Sequence, residues 1–591
     1  MATDAESIDM PALVAQASRV LFFTGKGGVG KTTLACAVAI ALADLGRSVL
    51  LVSTDPASNL DEMLATPLAG GACAVQGVAN LTALNIDPEQ AADAYRQRVL
   101  AALADDAEQQ ALVREQLSGA CTTEIAAFDE FVALLTGATR QYDHVIFDTA
   151  PSGHTLRLLS LPRAWSGFLA DNDRGASCLG PHSGLKMQEA NFRAALAALA
   201  DAAHTTFVLV TRPESSALRE AARTSDELRA LGLVNQRLVI NGVFTATDRN
   251  DDVAQRFAEL GAKALAHMPT SLRDLPQERL PLRSFDMVGL AALRAVLRAP
   301  DPHEAAVAAT ARQGPHDLPS LGRLVDELAG SDHGLIMVMG KGGVGKTTIA
   351  AAVAVGLAAR GIAVHLSTTD PAAHLSDALA GDMANLTVER IDPRVETEKY
   401  MAKVLATRGK FLDEQSRALL LEDLRSPCTE EVAVFHAFAH TVAQARNAVV
   451  VLDTAPTGHS LLLLDATGAY HRQMMHSFAE HNAARVVTPL MRLQDSAFTR
   501  IILVTLPEVT PVSEAAALQE DLRRARIEPY AWVINRALLG SGTHDPLLVA
   551  RMAGEAAQVK RVRAELAQRI YLLPWQGTPP VGVQALRALL D

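Results

Sequence analysis

The sequence predicts an α/β fold built twice, two homologous domains that each form a mostly parallel sheet flanked by helices, fused as a pseudo-twofold dimer. Three observations carry that expectation. The chain has 591 residues, beyond the size at which a single core stops growing. Short β-branched, leucine-rich runs such as "VLFFTG", "VLLVST", "HVIFDT", "FVLVT" and "LVING" alternate with longer helical patterns, as βαβ units on a buried parallel sheet do. And the whole series recurs later in the chain.

The recurrence runs through seven blocks. "VLFFTGKGGVGKTTLACAVAIALADLG" is matched by "LIMVMGKGGVGKTTIAAAVAVGLAARG", and "VLLVSTDPASNL" by "VHLSTTDPAAHL". "LTALNIDP" is matched by "LTVERIDP", and "CTTEIAAFDEF" by "CTEEVAVFHAF". "HVIFDTAPSGHTLRLL", "FVLVTRPESSALREA" and "RLVINGV" are matched by "VVVLDTAPTGHSLLLL", "IILVTLPEVTPVSEA" and "AWVINRA". The offset is 315 residues between Lys31 and Lys346 and 307 between Cys121 and Cys428, so a whole domain is duplicated rather than a short repeat. We place the first domain at 1–298, a Pro/Gly/His-punctuated linker at 299–316 and the second domain at 317–591. Fusing two such halves raises their effective concentration for each other.

Bulk properties exclude several classes. With 54 basic against 66 acidic residues the net charge is −12, the opposite of a nucleic-acid-binding face. The start "MATDAESIDM" is acidic where a secretory leader would be basic, and no apolar run reaches the length of a membrane span. A cytoplasmic location is expected, with any membrane work delegated to a partner. The five cysteines form no C-x-x-C, so neither a zinc knuckle nor a dithiol redox pair is indicated.

"GKGGVGKTT" at 25–33 and again at 340–348 satisfies G-x-x-x-x-G-K-[ST] between a strand and a helix, which makes each half a P-loop NTPase domain. Gly25, Gly27, Gly28 and Gly30, with Gly340, Gly342, Gly343 and Gly345, let backbone N–H groups wrap phosphates. Lys31 and Lys346 would reach the β/γ-phosphates. Thr32 and Thr347 would ligate Mg²⁺, with Thr33 and Thr348 beside them. The helix N-terminus adds a dipole favourable to anions. Asp148 and Asp453 end strands in "FDTAPSGH" and "LDTAPTGH", where an acid can hold Mg²⁺. Asp55 and Asp370 in "STDPAS" and "TTDPAA" could orient or deprotonate an attacking water, or could equally cap a helix. ATP and Mg²⁺ are thus the expected substrate and cofactor.

Lys26 and Lys341 exceed the ordinary loop. A lysine there resembles the deviant Walker-A class of P-loop ATPases, in which it crosses to the partner's nucleotide and stabilises phosphoryl-transfer charge as an arginine finger does. By the same resemblance Asn241 and Asn535, which end "LVIN" and "WVIN", would contact adenine, with Thr211–Glu214 and Thr505–Glu508 nearby on the base side. The loops' surroundings differ ("TRPES" against "TLPEV"), which allows unequal sites.

Cys121 and Cys428 are equivalent and each stands at the start of a helical pattern, where a thiol's pKa is lowered. Ser118 or Ser426 could help cap those helices. Equivalent thiolates near a twofold axis can meet across it and form a soft-ligand site. Cys178 has no counterpart. Thr149 to Thr211 spans 62 residues against 51 from Thr454 to Thr505, so the repeat is broken where a third ligand would be supplied. Three thiolates suit a trivalent pyramidal ion better than Zn²⁺. Cys36 and Cys73 read as core residues.

Taken together, "GKGGVGKTT", "DTAPSGHT/DTAPTGHS" and "CTTEIAAF…SCLGP…SPCTEEVAVF" resemble the arsenical pump-driving ATPases over essentially the whole chain outside the linker. The resemblance implies an ATPase stimulated by As(III) or Sb(III). Cys121, Cys178 and Cys428 would be its metalloid ligands, and His154, Ser426 and His459 would be linked to that site. It further implies a membrane arsenite efflux carrier as partner, peripheral attachment to the inner membrane through it, and a small metallochaperone as donor. The nearest rival is a targeting ATPase for tail-anchored membrane proteins. That class resembles homodimers of one half, often with a C-x-x-C and a methionine-rich groove, whereas "HRQMMHSFAEH" is too small a cluster. A partitioning ATPase would need basicity or an amphipathic membrane helix. A nitrogenase-type iron protein would need two cluster cysteines per half, and the second half has one.

Overall fold

The computed structural model describes residues 11–55, 58–68, 71–101, 120–136, 139, 141–149, 194–299, 318–369, 379, 383–407, 409–413, 416–417, 420–421, 424, 428–454 and 488–591. The chain forms two compact units. Unit 1 is Met1–Ala311 together with His544–Arg551, and unit 2 is Arg312–Thr543 with Met552–Asp591.

Among the described residues, unit 1 has eight strands: β1 Val20–Thr24, β2 Val49–Ser53, β3 Cys73–Ala74, β4 Leu81–Asn85, β5 His144–Asp148, β6 Thr205–Thr211, β7 Gln236–Val243 and β8 Gln277–Pro281. Their order across the sheet is β3-β4-β2-β5-β1-β6-β7-β8. All pairs are parallel except β3 on β4. The strands are buried on both faces, so they read as continuous apolar runs rather than alternating ones. Helix Lys31–Asp44 follows β1 and is buried nearly all round. Its alanines and small side chains let it pack closely on the sheet, and helix Leu290–Val296 packs on it. On the other face Phe22 stacks on Phe147 at 4.6 Å and on Phe207 at 5.2 Å, and such pairs add about 0.5–1.5 kcal/mol beyond area burial. Buried Asp251 caps helix Asp252–Ala266 through the Ala254 amide at 2.8 Å, and its second oxygen accepts the amides of His544 and Asp545 at 2.6 and 2.7 Å. Those two bonds tie the late segment into unit 1.

Among the described residues, unit 2 has seven strands: β9 Gly334–Met339, β10 Val364–Thr368, β11 Leu386–Arg390, β12 Val449–Asp453, β13 Thr499–Thr505, β14 Ala531–Ala537 and β15 Ile570–Pro574. Among the described residues the order β11-β10-β12-β9-β13-β14-β15 reproduces that of β4-β2-β5-β1-β6-β7-β8 in unit 1. Every described pair is parallel. Helix Lys346–Ala359 takes the place of Lys31–Asp44, held by helices Leu321–Leu328 and Val583–Ala588. The duplicated P-loop NTPase fold is therefore present in both halves, with helices on either side of a parallel sheet. No described helix is long and apolar enough to cross a membrane.

Candidate functional site

In each unit the phosphate loop leaves the C-terminal end of the central strand, where open α/β sheets bind ligands. Its geometry depends on glycine at two places. Gly30 has φ +94° and Gly345 φ +93°, a left-handed backbone that costs a side-chain-bearing residue about 1–2 kcal/mol. A Cβ at either would also overlap the amide of Asn241 or Asn535. At the start of the loop, a Cβ on Gly25 or Gly340 would overlap the carbonyl oxygen of Val210 or Val504. Helices Lys31–Asp44 and Lys346–Ala359 have no side-chain cap, so the first-turn N–H groups face the position an anion would take.

The asparagines have a definite place. Asn241 Nδ2 donates to the Val29 carbonyl at 2.9 Å, and Asn535 Nδ2 to the Val344 carbonyl at 2.8 Å. Both are about 5% exposed or less. They brace the floor of the loop from β7 and β14, a positioning role that the sequence reading did not include. The spans of 212 and 191 residues hide such contacts from sequence spacing.

The loop lysines are folded back. Lys31 Nζ donates to the Lys26 carbonyl at 3.3 Å and Lys346 Nζ to the Lys341 carbonyl at 3.1 Å. Beside them Thr32 Oγ1 donates to Asp148 Oδ2 at 2.8 Å, and Thr347 Oγ1 to Asp453 Oδ2 at 2.8 Å. Asp148 and Asp453 are essentially fully buried. Between His144 and Asp148 β5 is apolar, as β12 is up to Asp453, so both deliver a carboxylate to the C-terminal end of the sheet, level with Phe23 and Val338. The next residue fixes the turn, since Thr149 Oγ1 donates to the Phe23 carbonyl at 2.7 Å and Thr454 Oγ1 to Val338 at 2.9 Å. A hydroxyl and a carboxylate side by side are the hard oxygen donors that Mg²⁺ takes. Asp55, 8% exposed, lies just past β2, its amide donating to Ser53 Oγ at 3.2 Å. Asp370 lies outside the described residues.

Lys26 and Lys341 differ. Lys26 Nζ donates to Ser216 Oγ at 3.4 Å, whereas Lys341 is ion-paired with Glu514. Neither Ser216 nor Glu514 was singled out from sequence. The signal available was the non-identity of the two blocks that follow "TRPE" and "TLPE".

Cys121 is the second residue of helix Ala120–Thr136, and Cys428 the first residue of helix Cys428–Gln444. Helix Pro88–Ala101 packs on the former and helix Pro393–Thr407 on the latter. The side chains of both cysteines, and all of Ser118, His154, Cys178, Ser426 and His459, lie outside the described residues. Cys36 is fully buried and burial, reinforced by the Asp148 charge, pushes its thiol well above the usual range, so it is an inert core group. Cys73 is a partly exposed free thiol on β3. Among the described residues no three His, Cys, Asp or Glu side chains form a metal-holding group.

A sequence model of the family described as anion-transporting ATPase matches residues 18–299 and again 333–493. The chain is 52% identical over 580 residues to an arsenical pump-driving ATPase of Escherichia coli, covering 96% of this chain and 98% of that protein. It is 51% identical over 578 residues to an arsenical pump-driving ATPase of Acidiphilium multivorum, covering 97% and 98%. It is also similar to ATPase get3 of Aspergillus terreus, 31% identical over 295 residues, 45% of this chain and 85% of that protein.

Proposed function

The chain belongs to the anion-transporting ATPase family and is an ATP hydrolase, and from that premise we propose that its hydrolysis is stimulated by As(III) or Sb(III) and serves their extrusion through a membrane efflux carrier. The observation that carries the reading is the placing of Cys121 and Cys428 on equivalent helices, Ala120–Thr136 and Cys428–Gln444, of the two units. Relatives matched end to end are arsenical pump-driving ATPases. Cys178 supplies the third thiolate, and His154, Ser426 and His459 are linked to that site, Ser426 just before Cys428 and the histidines shortly after Asp148 and Asp453 in the chain.

In each unit Lys31 or Lys346 exchanges its bond to the loop carbonyl for the β/γ-phosphate of ATP. The loop amides hold the remaining phosphate oxygens, kept in register by Asn241 or Asn535, which also lie on the side where adenine would bind. Thr32 with Asp148, and Thr347 with Asp453, would hold Mg²⁺, which when bound neutralises phosphate charge. Asp55 and Asp370 orient the attacking water. Lys26 and Lys341 add positive charge where negative charge develops in the transition state. The protein acts in the cytoplasm, meets the inner membrane through its carrier and receives metalloid from a small metallochaperone.

Phosphate release measured against arsenite or antimonite tests this. Wild type should accelerate, and Cys121→Ala and Cys428→Ala should lose the acceleration while keeping the basal rate. A wild-type rate indifferent to metalloid defeats the proposal. Acceleration by a hydrophobic helical peptide instead would favour a targeting ATPase.

A further inference from the structure

The two signature lysines sit in unequal electrostatic settings, and one side chain accounts for the difference. In unit 2, helix Val509–Arg524 follows β13 and places Glu514 against Lys341 as an ion pair. The two side chains are 7% and 15% exposed, so the pair is largely out of water. In unit 1 the equivalent helix Ser215–Ala230 carries a carboxylate at the same position, Glu220. There Arg223, one turn further on, donates to Glu220 at 2.7 Å, and Lys26 reaches Ser216 instead. The residue equivalent to Arg223 is Ala517, which offers the carboxylate no cation. A local i,i+3 arginine competes for Glu220 in one half. In the other the carboxylate takes the lysine of the phosphate loop.

We propose that Glu514 is a latch on Lys341, a positioning residue that holds the second loop's extra lysine away from nucleotide until ATP competes it off. The proposal rests on the reading of the loops as nucleotide sites. To meet a phosphate held in its own loop, the Lys341 ammonium must first leave Glu514. Removing one partner of a mostly buried pair leaves the other charge uncompensated, so the latched state is the resting state. ATP supplies the competing anion, and charge-assisted bonds to phosphate oxygens are of comparable strength. Apparent affinity then falls by the fraction of molecules in which Lys341 is released. The first loop carries no such penalty, so the second engages ATP more weakly and more slowly than the first.

The test uses the full chain and a fluorescent N-methylanthraniloyl ATP. With the first loop silenced by Lys31→Ala, binding reports the second. Glu514→Gln and, separately, Ala517→Arg should each tighten binding by about tenfold, equivalent to about 1.4 kcal/mol, and raise the association rate. Ala517→Arg keeps Glu514 in place and occupies it as Arg223 occupies Glu220, so a purely structural need for the carboxylate would not produce the gain. In a Lys341→Ala background Glu514→Gln should change nothing, as expected of a pair that acts as a unit. Conversely, with the second loop silenced by Lys346→Ala, Arg223→Ala should weaken binding at the first by freeing Glu220 to take Lys26. Unchanged or weaker second-loop binding in both Glu514→Gln and Ala517→Arg overturns the latch. Binding that survives Lys31→Ala with Lys346→Ala would instead overturn the nucleotide-site reading beneath it, and the latch with it.

Discussion

In their described residues the first and second units share seven strands in one order and the same loop, yet they are finished differently inside. Unit 1 centres one face of its sheet on stacked Phe22, Phe147 and Phe207, where unit 2 has Met337, Leu452 and Ile501. Unit 1 ties Arg98 on helix Pro88–Ala101 to Asp129 on helix Ala120–Thr136 at 2.6 Å. Unit 2 has Lys403 and His436 at those positions, and His436 stacks on Tyr400 at 5.2 Å. Lys26 meets a serine and Lys341 a glutamate. What is shared is the loop geometry: Gly30 and Gly345 have the same left-handed φ, and the Asn and Thr–Asp bonds agree to within about a tenth of an ångström. The loop geometry is common to both halves, while the side chains around it differ.

The sharpest way to test the shared part is at the asparagines. Asn241→Ala and Asn535→Ala each strip a buried carbonyl of its donor, at about 1–3 kcal/mol. ATP should bind the affected loop roughly tenfold more weakly in either unit, read by titration with the other loop silenced. Equal effects keep the loops equivalent at this level, and an effect in one alone would break the comparison.

A smaller effect is expected in the cores. Phe22→Leu removes aromatic pairs worth about 0.5–1.5 kcal/mol each, whereas Met337→Leu nearly conserves volume and should stay below about 1.5 kcal/mol. Hydrogen exchange should show faster opening of β1, β5 and β6 in the first variant and little change in β9, β12 and β13 in the second.

The smallest effect concerns pH. Burial, followed by the Lys403 charge, lowers the pKa of His436 from its ordinary value. Its folded-state pKa lies below its unfolded value, so the contribution is full above about pH 6.5 and is lost as pH falls through the depressed value. Between pH 7.5 and 5 helix Cys428–Gln444 should lose more exchange protection than helix Ala120–Thr136, and His436→Phe should remove the excess. Equal losses in the two helices would show that the substitution of His436 for Asp129 has no consequence.

Much of this was legible in sequence because it is local. The duplicated loop, the strands ending in Asp148 and Asp453, and the helices that carry Cys121 and Cys428 are all short-range patterns. Contacts spanning long stretches of chain were not legible. Asn241 read as a base contact, because nothing in its neighbours shows that its amide reaches Val29. Glu514 drew no notice because Glu220 matches it, and only the arginine three residues beyond Glu220 distinguishes their roles. Edge strand β3 is two residues long, too short to leave a pattern.

The central claim is that each unit holds its own nucleotide, and counting bound ATP per chain tests it most directly. Equilibrium dialysis with a slowly hydrolysed ATP analogue should give two sites in the wild type. One site should remain in Lys31→Ala and one in Lys346→Ala, with the weaker site being the one lost in Lys346→Ala. A single wild-type site, or a count that neither substitution changes, would contradict the account.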